Sequence, residues 1–336
     1  MIHTDILSTH TPELFQAAVI QAAEKLKAGE VVALPTETVY GLAANALNEH
    51  AVSKIFQIKG RPAHNPIIVH VASTAMALTC VKEWPKSAHK LARAFWPGPL
   101  TLVLPRGASI PTLVTAGGET VGLRWPGHPF IQAVIRECGF PLAAPSANLS
   151  NQISPTNAEH VRQQLAGKIP LIVDGGQSQV GIESTVLDLT VAPLRVLRPG
   201  MIHSESLAAT GLAIADGLAL AESGVLKSPG QLQKHYAPKA RLTVLHWQDE
   251  AELRRKIGGQ SSAAGKVHII AHTHIPAGFG AENVSIIPHD AEAFARALYG
   301  ELHRCDAAGA QLIVVEAPPE APEWAGIADR LRRAAA

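Results

Sequence analysis

Short apolar runs, each cut off by a proline or a polar residue, recur along the first 200 residues and constrain the chain more than any other feature. Residues 31–34 stop at Pro35, and residues 67–71, 100–104, 121–124, 171–173, 186–189 and 194–197 repeat the pattern. Runs of this length between breakers read as buried strands. Helical spacing lies between several of them, near 49–58, 86–95, 128–138 and 157–166. Another helix opens the chain. Thr11 is placed to cap it, Pro12 suits its first turn, and Leu14, Ala18, Ala22 and Leu26 keep its period up to Gly29. This alternation predicts an α/β domain. The connections around the strands at 100–104 and 185–197 are too short for parallel crossovers, so a mixed sheet is expected.

Near residue 200 the texture changes. Residues 203–230 are rich in Ala, Gly and Ser, and SPGQLQKHYAP follows at 228–238 between Pro229 and Pro238. From Arg241 a second pattern begins, with strands expected at 242–246, 267–271, 284–287 and 311–315. Its helices are expected near 249–257, 290–307 and 323–334, which predicts a small parallel-sheet domain. The expected division is a first domain at 1–202, a linker at 203–239 ending in the KHYAP loop, and a second domain at 240–336. A length of 336 residues suits two domains, and 47% hydrophobic with 17% charged residues excludes disorder for most of the chain.

No run approaches the roughly 18 apolar residues of a membrane span, and the N-terminus has no secretory pattern. Cys80, Cys138 and Cys305 are far apart and form no CxxC pair. That argues against a disulfide scaffold or zinc ribbon and suits a reducing cytosol. A cytoplasmic protein without a membrane partner is expected. Residues 51–130 hold nine Lys/Arg against two acids, so this stretch could face a nucleotide or an RNA backbone.

The chain lacks GxxxxGK[ST], GxGxxG, GxSxG and HExxH. His268, His272 and His274 cluster in VHIIAHTH, with no adjacent carboxylate or thiol, and read as strand-end histidines rather than metal ligands. The dense part is the first domain, where polar residues repeatedly stop strands, the place where ligands meet α/β sheets. Thr36, Glu37 and Thr38 follow the first apolar run. Lys59 and Arg61 sit two apart on what reads as a polar, proline-stiffened loop, and two such cations suit polyphosphate oxygens. His70 lies within an apolar run and by pattern alone reads as a core histidine. Arg124 ends a strand and needs an anion, either a substrate carboxylate or a protein acid. Ser146, Asn148, Ser150 and Ser154 form a possible anion cradle. Gly175-Gly176, Ser184 and Arg198 add a glycine pair, a hydroxyl and a third strand-end cation.

The ordered set PTETVYGL, KGRPAHNPIIVHV, WPGPLTLVL, VGLRWPGHP, PLAAPSAN, SPT, DGG, ESTVLDL and LRPG, from about residue 15 to 202, closely resembles the YrdC-like family of threonylcarbamoyl-AMP synthases. KHYAP and the second domain resemble the long, two-domain form. The resemblance implies a YrdC-like domain with a twisted mixed sheet, linked to a smaller Rossmann-like parallel-sheet domain. It implies that L-threonine, bicarbonate or CO2, and ATP give threonylcarbamoyl-adenylate and pyrophosphate. The adenylate would supply a tRNA adenosine through downstream threonylcarbamoyl-transfer proteins.

Carried over by motif, Thr36, His70, Arg124, Ala144 and Ser184 would bind threonine, which overrides the core reading of His70. Lys59, Arg61, Thr120, Ser146, Ser154, Arg198 and Tyr236 would contact ATP. No covalent nucleophile or dedicated catalytic residue is implied; positioning and electrostatics would suffice. Mg2+ would bridge phosphate oxygens, with no protein ligand assigned. The KHYAP segment, with Lys234, His235 and Tyr236, is expected to act as a lid over the nucleotide. Two other readings stand beside this one. The first domain could bind double-stranded RNA without chemistry. It could also be a carbamoyl-transfer domain of the hydrogenase-maturation type, although the chain has no CxxC pairs for that type's zinc fingers.

Overall fold

The computed structural model describes every residue except 1, 216, 218–225, 231–234 and 259–265. Two compact units divide the chain: Met1–Ser150 with Ser154–Gln231, and Asn151–Ile153 with Leu232–Ala336.

The first unit is built on one mixed sheet. Its strands are β1 (Asp5–Ser8), β2 (Val32–Leu34), β3 (Gly41–Asn45), β4 (Val69–His70) and β5 (Leu100–Pro105). They continue with β6 (Thr120–Arg124), β7 (Leu142–Ala143), β8 (Leu171–Asp174), β9 (Thr185–Asp188) and β10 (Arg195–Arg198). Their spatial order is β1-β8-β2-β3-β7-β4-β6-β5-β9-β10. Parallel pairs (β1 with β8, β4 with β6, β5 with β9) alternate with antiparallel ones, as the short connections require. The helices are α1 (Pro12–Lys27), α2 (Glu49–Lys59), α3 (Thr74–Thr79), α4 (Lys86–Phe95), α5 (Pro129–Cys138), α6 (Ala158–Leu165) and α7 (Ser204–Ala208).

Alternation along the chain at β2 explains why both sheet faces are dry. Val31 and Ala33 join one core with Leu42 and Ala44, whereas Val32 and Leu34 join another with Ala43. Helices α2, α4 and α6 cover the first face. Helices α1 and α5 cover the second, where Phe15 meets Phe130 edge-on at 5.2 Å. Helix α1 begins where its sequence says it should, with the Thr11 hydroxyl accepting from the Leu14 amide.

Three described strands lie outside the sequence expectation: β7, whose two residues are too few to stand out from the loop they enter, and two longer ones. Residues of β3, Gly-Leu-Ala-Ala-Asn, have little intrinsic strand preference and are extended because β2 and β7 flank them. Gly41 suits the close approach there, since a Cβ would lie 3.3 Å from the Cβ of Ala144 and one of the two segments would have to shift slightly. The other is β1, whose half-exposed residues carry no clear apolar run and which pairs in parallel with β8.

The second unit holds β11 (Arg241–Leu245), β12 (Val267–Ala271), β13 (Val284–Ile286) and β14 (Leu312–Glu316), all parallel in the order β11-β14-β12-β13. Helices α8 (Glu250–Gly258), α9 (Ala291–Ala307) and α10 (Ala325–Ala334) accompany them. No described helix is long and apolar enough to cross a membrane.

Candidate active site

Strand ends bring the motif residues of the first unit together. Strands β4 and β6 run in parallel with His70 beside Arg124, so both residues finish neighbouring strands at the same edge. Arg124 is buried, 4% exposed, and its Nη1 donates to Thr38 Oγ1 at 2.9 Å while Nε donates to the Gly98 carbonyl at 3.3 Å. Its Nη2 lies 2.7 Å from Glu37 Oε1. A protein acid therefore stands at Arg124, one of the two partners the sequence left open. Burial, the largest influence, raises the Glu37 pKa, but the charge of Arg124 and hydrogen bonds from Arg124 and the Gly127 and Glu37 amides together outweigh it, and the carboxyl stays below its ordinary value. His70 is pushed the other way. Burial first, and Arg124 second, lower its pKa to about 3, so the ring is neutral, and its Nδ1 has no hydrogen bond.

The loop after β2 is shaped by its own hydroxyls. Thr36 Oγ1 donates to the Val39 carbonyl at 2.6 Å, accepts from the amides of Thr38 and Val39, and meets Thr38 Oγ1 at 3.0 Å. The loop after β8 clamps it from outside. The Val180 amide donates to the Glu37 carbonyl, Gly181 to that of Thr38, and Ser178 Oγ to that of Thr36. Tyr40, a residue the sequence reading passed over, braces the same loop by donating to the Gly176 carbonyl and accepting from the Gly175 amide. Burial raises its phenol pKa strongly.

The polar-loop setting expected for Lys59 and Arg61 does not hold. Lys59 lies in the last turn of α2, and the two residues are 3% and 8% exposed. Lys59 Nζ donates to the carbonyls of Ser146 and Asn148 and to Asn148 Oδ1. Burial, and then the charge of Arg61, lower its pKa well below the usual lysine value. Arg61 Nε and Nη2 donate to the carbonyls of Asn65 and Pro66. The physical reason is that Gly60, with φ of 59°, ends α2 in the left-handed conformation and turns the chain inward. Ser146 bridges to Gly41, and the Ala144 amide donates to the Ile68 carbonyl, so this loop is fastened to β3 and β4 at once.

A second cluster joins β9 and β10. Ser184 Oγ meets Thr101 Oγ1 at 2.8 Å and accepts from Arg198 Nη2 at 3.0 Å, while Arg198 Nε donates to the Ser184 carbonyl. Ser154 Oγ donates to Glu183 Oε1 at 2.6 Å. Glu183 was missed, although its place directly before Ser184 in ESTVLDL was the available signal. Thr120 is not brought into the Arg124 cluster, for it opens β6, and four residues of strand span about 13 Å.

Tyr236 belongs to the second unit. It is fully buried there with φ of 64°, its ring 5.9 Å from Tyr299 and 5.4 Å below the Arg330 guanidinium. Lys234 lies outside the described residues. The histidines of VHIIAHTH go to separate partners. His268 meets Ser285, His272 meets His289, and His274 meets Glu316. Among the described residues no three acidic, imidazole or thiol groups are arranged to hold a metal.

Comparison with known proteins agrees with this layout. A family model described as "Telomere recombination" matches residues 24–200, and one described as "Threonylcarbamoyl-AMP synthase, C-terminal domain" matches residues 200–336. The threonylcarbamoyl-AMP synthase of Pyrococcus abyssi is 40% identical over 93% of this chain and 92% of its own length. That of Bacillus subtilis is 40% identical over 99% of this chain and 95% of its own. The crystal structure of P. abyssi Sua5 complexed with L-threonine is 37% identical, with a TM-score of 0.88 across 99% of this chain and 97% of that one. The chain belongs to the threonylcarbamoyl-AMP synthases in their long, two-domain form, enzymes of the nucleotidyltransferase type.

Proposed function

We propose that the protein converts L-threonine, bicarbonate or CO2, and ATP into threonylcarbamoyl-AMP and pyrophosphate. The product would serve threonylcarbamoyladenosine formation on tRNA through separate transfer proteins. The Arg124 cluster carries this reading: a buried, rigidly held guanidinium at a strand edge, with polar atoms around it that the protein leaves unbonded.

In the reaction, threonine's amine adds to CO2, and an oxygen of the resulting carbamate attacks the α-phosphorus and expels pyrophosphate. Arg124 would fix the threonine carboxylate, and Thr36, His70, Ala144 and Ser184 would complete the threonine site. Arg198, Ser146 and Ser154 would line the nucleotide. Lys59 and Arg61 would contact ATP from the positions in which their bonds to main-chain carbonyls hold them. Such fixed dipoles stabilise developing charge without reorganising during the step. Glu37 is paired with Arg124 and Glu183 accepts from Ser154, and no protein ligand for Mg2+ is proposed. The ion belongs with the nucleotide's phosphates as part of the substrate. Tyr236 and Thr120 remain proposed ATP contacts. Tyr236→Phe, which keeps the ring, against Tyr236→Ala would separate packing from nucleotide use in ATP titrations.

Incubation with ATP, threonine and bicarbonate, with pyrophosphate measured, tests the proposal. Release should require both threonine and bicarbonate; release that ignores either one overturns it.

A further inference from the structure

Glu37 and Arg124 form a charge pair that folding leaves incomplete. Their side chains are 12% and 5% exposed and meet at 2.7 Å, with the Gly127 amide also near the carboxylate. Beyond this mutual pairing Arg124 Nη2 meets no other acceptor among the described residues, and His70 Nδ1 beside them has no hydrogen bond. Buried polar atoms in folded proteins are nearly always bonded. Unbonded atoms gathered at one sheet edge mark the seat of a polar ligand.

The pair is also held still. The Glu37 carbonyl is pinned by the Val180 amide, and Arg124 is pinned through Nε and Nη1. Its guanidinium carries five N–H groups in total, so donors remain for an incoming anion. A carboxylate next to a guanidinium presents one partner for each charge of a zwitterion. The carboxylate is held below its ordinary pKa, because Arg124 and the Gly127 and Glu37 amides together offset the effect of burial.

We infer that Glu37 receives the α-ammonium of the amino-acid substrate while Arg124 receives its carboxylate. The inference rests on the threonine reading above and adds to it the residue that reads the amine. An amino acid would be told from a hydroxy acid by Glu37, and the amine would be held at the place where CO2 must reach it. Without substrate the two protein charges neutralise each other. With substrate each turns part of its bonding capacity to the ligand.

The test is calorimetric titration of the full chain with L-threonine and with 3-hydroxybutanoate, the same skeleton without the amine. Wild type should prefer threonine. Glu37→Gln should bind threonine about tenfold or more weakly, as expected when a hydrogen bond to a charged group is lost. It should bind 3-hydroxybutanoate within about twofold of wild type, a change too small to reflect loss of such a bond. Equal losses for both ligands would make Glu37 only a positioning residue for Arg124, and no loss would give it no role; either result overturns the inference. Should Glu37→Gln fail to fold, Glu37→Asp keeps the charge and must still favour threonine, and equal binding of the two ligands by that variant overturns the inference as well. Wild type that binds no threonine would instead overturn the functional reading beneath it.

Discussion

Arg198 and Ser184 hold each other at two points: Nη2 donates to the serine hydroxyl at 3.0 Å and Nε to its carbonyl at 3.0 Å. One of these residues is proposed for ATP and the other for threonine, so the two substrate sites share a bond. Ser184→Ala removes a hydroxyl that Arg198 and Thr101 both use. Leaving buried partners short costs about 1–3 kcal/mol. We expect both threonine and ATP affinity to fall. In a double-mutant cycle with Arg198→Lys, the coupling should reach about 0.5–3 kcal/mol. Additive effects on both ligands would show the sites to be independent.

Replacing Arg124 affects more than substrate binding, because Glu37 would be left as an uncompensated buried charge. Such a loss typically costs about 3–5 kcal/mol of stability. Arg124→Ala should therefore lower both threonine affinity and the melting temperature. Arg124→Lys keeps the charge but not the planar fork, so it should keep most of the stability and lose most of the threonine affinity. Thermal melts beside threonine titrations separate the two effects.

Lys59→Gln is expected to destabilise the fold, which a lysine on a free loop would not do. The substitution takes an ammonium from the carbonyls of Ser146, which is half-buried, and Asn148, which is buried. Each unsatisfied acceptor costs about 1–3 kcal/mol. Urea denaturation should show a lower midpoint with an unchanged slope, together with weaker ATP binding as the loop loosens. An unaltered midpoint would contradict the burial described here.

The pH dependence of stability has a sign set by His70. Its pKa is about 3 in the folded protein and about 6.5 when unfolded, so below pH 6.5 the unfolded chain binds the extra proton. Stability from this group is fully present above pH 6.5 and falls by up to about 1.4 kcal/mol per unit as pH drops towards 3. His128, His268 and His272 are also lowered, chiefly by burial, and push in the same direction. The difference between wild type and His70→Asn isolates the one residue. Denaturation from pH 7 to pH 4.5 should give a shallower slope for the variant, and parallel curves would contradict a neutral His70.

Much of the framework was legible before any coordinates. Thr11, Pro12 and the four-residue apolar spacing specify α1, because a helix is made from contacts within a few residues along the chain. The alternation of short apolar runs with helical stretches specified two α/β parts and a mixed first sheet, since a short connection cannot cross over a sheet. Strand ends rich in Thr, Ser and Arg marked the candidate site for the same local reason. What the sequence could not supply were the partners. Glu37 and Arg124 are far apart in sequence and meet only because the loop after β2 reaches the end of β6 in the folded sheet. Lys59 reads as a cation on a loop, but it ends α2 and is buried against the segment carrying Ser146 and Asn148. Strand β3 has no preference of its own and becomes a strand when β2 and β7 offer it hydrogen bonds from both sides. Burial and pairing arise from contacts distant in sequence, so only the tertiary structure decided which charges face a ligand and which face the protein itself.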